Sequence, residues 1–254
     1  MKAGLNVYSL RQLINSEDDF MRLSEQLKAM GYDYLQVSGL PIDAKAIARV
    51  SKATDMPIYL SHSPLDKILN ETEKVMEENA AFGCKNIGLG SVSYDIVSDK
   101  ARLVDLTEKL ERVGERMKQG GFTFFYHHHH TEFYKHGDQT AIDYILRNAP
   151  SVHVITDTYW VYFGGENPVA FLHRVSGRCE CMHLKDYRLM REDSGWVKPN
   201  FAPVGSGTLD FPAIVSAAFS AGTKYFFVEQ DDAGEYPDPL GEVKKSIDYI
   251  KENL

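Results

Sequence analysis

Short apolar runs alternate with longer segments of helical periodicity along the chain. A short apolar run bounded by turn residues is typical of a strand buried on both faces, whereas apolar residues spaced three and four apart indicate an amphipathic helix. The strand-like runs are 3–8, 34–38, 58–62, 86–90, 122–126, 152–157, 179–184 and 225–229. A helical segment follows each run, so the pattern predicts eight strand–helix units.

The helical segments carry recognisable start and stop signals. Ser16 precedes three acidic residues and predicts an N-cap, and Gly31 after the last apolar position predicts a left-handed C-terminal residue. We expect the remaining helices at 43–54, 66–82, 98–119, 138–148, 167–175, 211–221 and 239–253. The segment 185–208 is predicted to be a long loop. The Gly- and Pro-rich stretch 200–210 could be a lid over the mouth or a static connection.

Eight alternating units predict a parallel sheet, because successive strands are then joined by right-handed helical crossovers. Eight such units in 254 residues fit an α/β fold of the closed (β/α)8 TIM barrel type, with residues 1–254 as a single domain. The rival is a doubly wound open sheet. That fold usually has a Gly-rich phosphate turn after its first strand, and residues 7–11 contain no glycine.

The composition limits the kinds of binding partner that we expect. The net charge is −8, and no Lys/Arg-rich stripe is present, so we expect no nucleic-acid partner. The N-terminus lacks the apolar core of a signal peptide, and no apolar run reaches the roughly 18 residues of a membrane span. A cytoplasmic protein without membrane contact is therefore expected. Homo-oligomer formation is left open.

Barrel geometry directs attention to the strand ends, because the active sites of (β/α)8 enzymes lie at the carboxyl ends of the strands. Polar residues at these ends, although scattered in sequence, would meet on one rim. They are Tyr8, Gln36, His62, Ser91, the segment 127–132, Asp157, His183, Lys185, Asp186, Glu229 and Asp231.

Four consecutive histidines follow the fifth strand. Side chains alternate along a strand, so His127 and His129 would point one way and His128 and His130 the other, with Glu132 able to join either set. Imidazole and carboxylate ligands suit zinc, manganese, iron or cobalt. The alternative is a polar loop in which each histidine is solvated.

Three carboxylates at one rim, Glu132, Asp157 and Glu229, would repel each other unless a cation neutralised them. Together with His183 they would form a shell of three oxygens and one nitrogen, which suits one Mn²⁺ or Co²⁺ ion and admits Mg²⁺, Fe²⁺ or Zn²⁺. Open coordination positions would take two vicinal substrate oxygens. Such an ion would polarise a carbonyl and stabilise an enediolate.

These strand ends resemble the xylose isomerase-like TIM barrels, usually labelled sugar phosphate isomerase/epimerase, and the resemblance spans nearly the whole chain. The segments that carry it are Phe125-Tyr-His-His-His-His-Thr-Glu-Phe133, Asp157-Thr-Tyr-Trp160, His183-Leu-Lys-Asp186 and Val228-Glu-Gln-Asp231.

The resemblance implies one divalent metal held by a carboxylate after strand five, by Asp157, by His183 and by Glu229. Ketose epimerases of this superfamily have a glutamate at the end of strand five, where this chain has His127. The nearest acid is Glu132, which is predicted as the ligand, with His127 or His129 as the alternative.

Other roles follow from residue type. His127 and His129 are candidates for proton transfer because imidazole titrates near neutral pH. Lys185 is predicted to bind substrate or stabilise negative charge in the transition state. The set of predicted catalytic residues is completed by Glu132 and Glu229. The predicted substrate contacts are Tyr8, His62, Trp160, Asp186 and Asp231.

The predicted function is a metal-dependent isomerase or epimerase that abstracts a proton α to the carbonyl of a small sugar or polyol derivative. Two departures from the ketose 3-epimerases favour an alternative, a lyase or dehydratase acting on keto-inositols or 3-keto-glycosides: Trp160 stands where they have histidine, and Gln36 where they often have glutamate. A DNA-repair endonuclease conflicts with the net charge. A non-catalytic binding barrel is the remaining alternative. No phosphate cradle is visible, so an unphosphorylated substrate is favoured.

Overall fold

The eight apolar runs form the strands of a closed barrel in the computed structural model, which describes residues 1–254. Each strand pairs in parallel with its neighbours in sequence, and the eighth pairs back with the first. The predicted (β/α)8 barrel is therefore confirmed. The strands are β1 (Gly4–Asn6), β2 (Tyr34–Ser38), β3 (Ile58–Ser63), β4 (Asn86–Leu89), β5 (Thr123–His127), β6 (Val152–Asp157), β7 (Cys181–Leu184) and β8 (Tyr225–Val228).

Helices connect the strands and form the outer layer. None of them combines the length and the apolar content needed to cross a membrane. They are α1 (Glu17–Met30), α2 (Ala44–Thr54), α3 (Leu65–Asn70), α4 (Thr72–Ala81), α5 (Tyr94–Val97), α6 (Lys100–Gln119), α7 (Ala141–Asn148), α8 (Thr158–Phe163), α9 (Pro168–Arg174), α10 (Phe211–Ala221) and α11 (Pro239–Asn253).

The first helix begins and ends at the two predicted capping residues. The Ser16 hydroxyl accepts a hydrogen bond from the Asp19 backbone N–H, and Gly31 adopts φ +102° at the other end. The single helix predicted at 66–82 is instead divided at Glu71, whose φ of −131° is not helical. Beside the break, the Thr72 hydroxyl donates to the Ile68 carbonyl at 2.7 Å, a local bond of the kind that bends helices.

The long loop predicted after β7 is partly wrong. Asp186–Arg191 and Val197–Ala202 form an antiparallel hairpin. Its turn closes through a hydrogen bond from the Gly195 N–H to the Glu192 carbonyl, and Gly195 has a φ of +89°, which favours glycine. Apart from Lys185 and the hairpin turn 192–196, only residues 203–208 of the predicted loop lack strand or helix.

Side chains inside the barrel lie in two layers. The lower layer is apolar and forms a buried cluster of Tyr34, Leu60, Phe125, Ile155, Cys181 and Phe227. Alternation along a strand brings the residue two positions later to the same face, nearer the carboxyl end. The upper layer therefore consists of Gln36, His62, His127, Asp157, His183 and Glu229. The apolar layer is thus the floor of a polar site.

Candidate metal centre at the barrel mouth

Four side chains from β5, β6, β7 and the residue after β8 converge at the carboxyl end of the barrel. His127, Asp157, His183 and Glu229 each offer one ligand atom, and these atoms all lie within 4.8 Å of one another. All four residues are buried. The arrangement follows from the period of the strands, because each of the four is the inward-facing residue directly above the apolar floor.

The ligand atoms face one another without intervening donors. Asp157 Oδ2 lies 3.5 Å from His127 Nε2 and 3.6 Å from His183 Nδ1, and Glu229 Oε2 contacts His183 Nδ1. His183 Nδ1 and Glu229 Oε2 are buried yet have no well-formed hydrogen bond. Buried acceptors left in this way are unfavourable unless a cation or proton lies between them. The donor set therefore fits a divalent metal.

Neighbouring groups fix which nitrogen of each imidazole faces the centre. The carbonyl of Gly90 can only accept, so His127 donates from Nδ1 at 2.9 Å and keeps a lone pair on Nε2. His183 donates from Nε2 to Gln36 Oε1 at 2.8 Å, so its Nδ1 faces the centre. Partners of this kind orient metal-ligating histidines.

Asp157 is oriented by the backbone of the following helix. Its Oδ1 accepts the Trp160 N–H at 3.0 Å as the N-cap of α8, which leaves Oδ2 for the centre. Its own N–H lies 3.3 Å from His128 Nε2, and His128 is fully buried. Burial lowers the pKa of His128 to about 3, so this imidazole is neutral and can accept that hydrogen bond.

A buried ammonium balances part of the negative charge. Lys185 Nζ lies 2.8 Å from Asp231 Oδ2, 3.6 Å from Glu229 Oε1 and 3.8 Å from Asp157 Oδ2. With neutral imidazoles, three carboxylates and one ammonium leave two negative charges, which one divalent cation would neutralise. Burial alone would lower the pKa of Lys185, but the three carboxylates outweigh it and raise the pKa above its usual value.

The same close contacts shift the pKa values of Asp157 and His183. Burial would raise the pKa of Asp157, but Lys185, His127 and His183 hold it well below its ordinary range. Burial would likewise lower the pKa of His183, yet Glu229 and Asp157 raise it to about 9. In the metal-free protein, a proton on His183 therefore occupies the place that a cation would take.

Glu132, predicted as the strand-five ligand, lies outside this group. Its carboxylate accepts hydrogen bonds from the Tyr126 hydroxyl at 2.8 Å, the His129 N–H at 2.8 Å and the Thr131 hydroxyl at 2.9 Å. It is fully buried in the short 3-10 turn Thr131–Phe133. Its oxygens are committed to holding the turn after β5, and the alternative residue, His127, takes its place in the ligand group.

The substitution Glu132→Gln tests this exchange of roles. The amide has one acceptor where the carboxylate had two, so a buried donor loses its partner and the free energy of unfolding should fall by about 1–3 kcal/mol. Metal content, measured by elemental analysis, should not change. His127→Gln should instead lower metal affinity at least tenfold. Loss of metal in Glu132→Gln together with retention of metal in His127→Gln would instead support Glu132 as the strand-five ligand.

The site opens into a cavity of about 1120 Å³. Four of the other predicted site residues line it, together with the candidate ligands His127 and Glu229. These four are Tyr8, His62, His129 and Asp231. Ser91, which was also predicted to lie on the rim, lines the same cavity, so the structure brings part of the predicted rim to one space.

His62 reaches the centre because β4 makes room for its ring. A Cβ atom at Gly88 would lie 2.6 Å from His62 Cδ2, and one at Gly90 would lie 3.2 Å from His62 Nδ1. The ring thereby packs 5.3 Å from the His127 ring and 5.7 Å from the His183 ring. The absence of side chains at Gly88 and Gly90 therefore leaves the space that the His62 ring occupies.

Two predicted substrate contacts have different surroundings. Trp160 packs against the His129 ring at 5.1 Å and lies 5.0 Å from Lys185 Nζ, so it forms an aromatic wall beside the ammonium. Asp186 is turned away from the centre. Its carboxylate accepts the backbone N–H groups of Gly205, Gly207 and Leu209 and anchors the segment that follows the hairpin. A substrate contact by Asp186 does not fit this placement.

Gln36 contacts two histidines of the site, a role that was not predicted from its place on the rim or from its difference from the glutamate of the ketose 3-epimerases. Its Oε1 accepts from His183, and its Nε2 lies 3.1 Å from His62 Nε2 and 3.3 Å from Ser38 Oγ. The amide therefore couples two imidazoles across the mouth. The signal that could have indicated this role is its position two residues after inward-facing Tyr34.

Comparisons with known proteins agree with this architecture. A curated relative, inosose dehydratase from Geobacillus kaustophilus strain HTA426, is 29% identical over 117 residues, and the match covers 41% of this chain but only 38% of that protein. A solved sugar phosphate isomerase/epimerase from Parabacteroides distasonis ATCC 8503 has a TM-score of 0.82 at 22% identity, covering 99% of this chain and 94% of the other.

A third similar protein is described as a dehydratase. The probable 3-DHS dehydratase involved in petrobactin synthesis from Bacillus anthracis has a TM-score of 0.76 at 14% identity, with each chain fully covered. At such identities the solved structures show a shared fold. The family model described as Xylose isomerase-like TIM barrel matches residues 24–253. This match extends over nearly the whole chain, and the protein therefore belongs to the xylose isomerase-like TIM barrel family.

Proposed function

We propose that this protein is a divalent-metal-dependent isomerase or epimerase of a small sugar or polyol derivative, acting by removal of a proton α to a carbonyl. The observation that carries the proposal is the convergence of four ligand atoms within 4.8 Å, at the end of a cavity and next to a buried ammonium. A solved structure with the same fold is described as a sugar phosphate isomerase/epimerase, which supports a sugar-like substrate.

His127, Asp157, His183 and Glu229 would hold the metal. Two imidazoles and two carboxylates suit Mn²⁺, Co²⁺, Zn²⁺ or Fe²⁺ and admit Mg²⁺. When bound, the ion supplies positive charge that polarises a substrate carbonyl. This donor set contains one more imidazole than the set expected from sequence, because His127 replaces Glu132.

The remaining side chains have distinct tasks. Glu229 and Asp231 present carboxylate oxygens to the cavity and are the candidates to accept the proton. Lys185 is held positively charged beside them and would stabilise negative charge as it develops on a substrate oxygen. His62, His129 and Trp160 would position the ring and limit the access of water.

Hydrogen–deuterium exchange tests the proposal before the substrate is known. The metal-loaded protein is incubated in D2O with a panel of keto-sugars and keto-polyols, and the α-carbon is followed by NMR. We expect incorporation of deuterium into at least one compound, and about 100-fold slower incorporation with Asp231→Asn, which removes a candidate base outside the ligand group, since loss of a positioned base costs roughly 10²–10⁴-fold. No exchange with any compound would contradict the proposal.

A dehydratase or lyase is the second candidate. At the barrel end of the cavity the lining carboxylates, Glu229 and Asp231, both follow β8, whereas the β5 side presents His127 and His129. Epimerisation needs proton-transfer groups on both faces of a carbon, but elimination can proceed from one side. The similarity to an inosose dehydratase also favours this alternative. Product mass separates the two, since elimination removes water or another leaving group and isomerisation does not.

A further inference from the structure

Gln36 lies between two histidines and faces each of them with a different group. Its side chain is fully buried on the inner face of the barrel. Its Oε1 accepts a hydrogen bond from His183 Nε2 at 2.8 Å, and its Nε2 lies 3.1 Å from His62 Nε2. Gln36 therefore joins a candidate metal ligand to a histidine that lines the cavity.

The candidate metal ligand determines the direction of these hydrogen bonds. His183 presents Nδ1 to Asp157 and Glu229, so metal binding would use the lone pair of Nδ1 and leave the ring hydrogen on Nε2. That hydrogen needs an acceptor, and the only acceptor of an amide side chain is its carbonyl oxygen. The NH2 group of Gln36 is thereby turned towards His62.

The contact with Gln36 in turn sets the tautomer of His62. An amide N–H can only donate, so His62 Nε2 must accept, and an imidazole with an unprotonated Nε2 has its hydrogen on Nδ1. The hydrogen bond with Gln36 is the only one that the His62 ring makes within the protein. The Nδ1–H is therefore a free donor on a side chain that lines the cavity.

This donor lies beside the candidate metal centre. The His62 ring packs 5.3 Å from the His127 ring and 5.7 Å from the His183 ring. A Cβ atom at Gly90 would lie 3.2 Å from His62 Nδ1, so the absence of a side chain there leaves this nitrogen uncovered. The Nδ1–H can therefore reach an oxygen of a molecule bound at the centre.

The neighbouring carboxylates make a donor at this place significant. Glu229 and Asp231 line the same end of the cavity, and ionised carboxylates can only accept hydrogen bonds. A substrate hydroxyl could bond to them or to His62, because a hydroxyl both donates and accepts. A carbonyl oxygen can only accept, so it would pair with His62 and not with the carboxylates.

We propose that Gln36 holds His62 in the Nδ1–H tautomer and that this N–H donates a hydrogen bond to the carbonyl oxygen of the substrate. The presence of that carbonyl rests on the proposed function. When the α proton passes to a carboxylate of the cavity, the C–H electron pair forms a carbon–carbon double bond and the carbonyl π pair moves onto the oxygen. A fixed donor at that oxygen stabilises the developing negative charge. Gln36 is thus a positioning residue that acts through His62.

NMR measures the tautomer of His62 directly. Long-range ¹⁵N–¹H correlation spectra of the protein loaded with diamagnetic Zn²⁺ distinguish a protonated from an unprotonated ring nitrogen, and the His62→Gln variant identifies the His62 signals by their absence. We expect Nδ1 to be protonated and Nε2 to be unprotonated. A protonated Nε2 in the parent protein would overturn the proposal, and this result does not depend on the folding of any variant.

Gln36→Glu tests the part that the amide plays. Glutamate has nearly the same shape as glutamine, but its carboxylate has no donor, so His62 should become protonated at Nε2. Ser38→Ala is the matched control, because Ser38 Oγ lies 3.3 Å from the same NH2 group and its removal leaves both histidine contacts in place. The control should keep the tautomer of the parent protein. An unprotonated Nε2 in folded Gln36→Glu would contradict the role assigned to Gln36.

Two uncharged three-carbon probes test the contact with substrate. Dihydroxyacetone and glycerol differ at the central carbon, which carries a carbonyl in one and a hydroxyl in the other. In NMR titrations we expect the Zn²⁺-loaded parent protein to bind dihydroxyacetone about 3–10-fold more tightly than glycerol, the usual contribution of one hydrogen bond, and Gln36→Glu to lose this preference. Equal affinities in the parent protein, or no binding of dihydroxyacetone, would overturn the contact between His62 and a carbonyl oxygen.

None of these measurements depends on turnover. If the tautomer and the carbonyl preference were found but no compound exchanged deuterium, the proposed function would fail while the roles of Gln36 and His62 remained supported. If Zn²⁺ did not bind, the proposed function would also fail, and the tautomer in the purified protein would still decide whether Gln36 orients His62. The two kinds of failure are therefore distinguishable.

Discussion

Asp157→Asn is expected to remove stoichiometric metal from the purified protein. The Asp157 carboxylate lies within 3.6 Å of the facing nitrogens of both His127 and His183, so it is central to the ligand group. Asparagine is almost the same size and caps helices well, so α8 should keep its N-cap. The substitution therefore changes the charge of the site with little effect on its shape. Metal affinity should fall by at least about 100-fold, since even changes beyond the ligands cost about 10–100-fold.

Elemental analysis after dialysis against a weak chelator measures this loss, and thermal unfolding with added Mn²⁺, Co²⁺ or Zn²⁺ measures it independently. Asp138→Asn is the control, because Asp138 is an exposed aspartate in the turn between two short strands. The control should retain the metal content of the parent protein. If Asp157→Asn also retained it, the metal centre would have to be placed elsewhere, and the proposed chemistry would lose its basis.

Lys185→Met should have the largest effect on the stability of the metal-free protein. Lys185 is 1% exposed and faces three carboxylates, and methionine keeps much of its apolar stem while removing the charge. Removing one partner of a buried ion pair leaves uncompensated charge and typically costs about 3–5 kcal/mol. A divalent metal would restore much of this loss, because it supplies the positive charge that the lysine no longer provides.

The measurement is urea unfolding with and without saturating metal. Metal should raise the free energy of unfolding more in Lys185→Met than in the parent. Lys74→Met provides the comparison, since Lys74 forms an exposed ion pair with Glu71 and pairs of that kind contribute about 0–1 kcal/mol. Equal losses in Lys185→Met with and without metal would show that a cation among the carboxylates does not replace the lysine, as expected if the ammonium acts through its contacts with the Trp160 and Phe201 rings.

Local periodicity was sufficient to locate the barrel and most of its rim. Each strand could be found as an apolar run between helical segments, because a barrel strand is buried on both faces. The choice between Glu132 and His127 was also open to a sequence argument. His127 is two positions after Phe125, which faces the barrel interior, whereas Glu132 lies beyond the strand where alternation no longer applies.

Other features depend on contacts between distant residues and could not be found in this way. The role of Gln36 becomes visible only when β2 and β7 face each other across the mouth. Asp186 follows a strand end as a site residue would, but the backbone of 205–209 folds over its carboxylate. The hairpin after β7 had a local signal, the turn around Gly195, but its strands are largely exposed and lack the apolar pattern of the barrel.

The hairpin after β7 also affects the tryptophan fluorescence of the protein. The chain contains two tryptophans. Trp196 stands near the hairpin turn and is 76% exposed, while Trp160 lies beside Lys185 and His129. The fluorescence of the native protein therefore combines a solvated indole with one at the metal centre. In a Trp196→Phe background, the emission would come from Trp160 alone, and a single fluorophore would report the arrival of metal and ligand in the barrel.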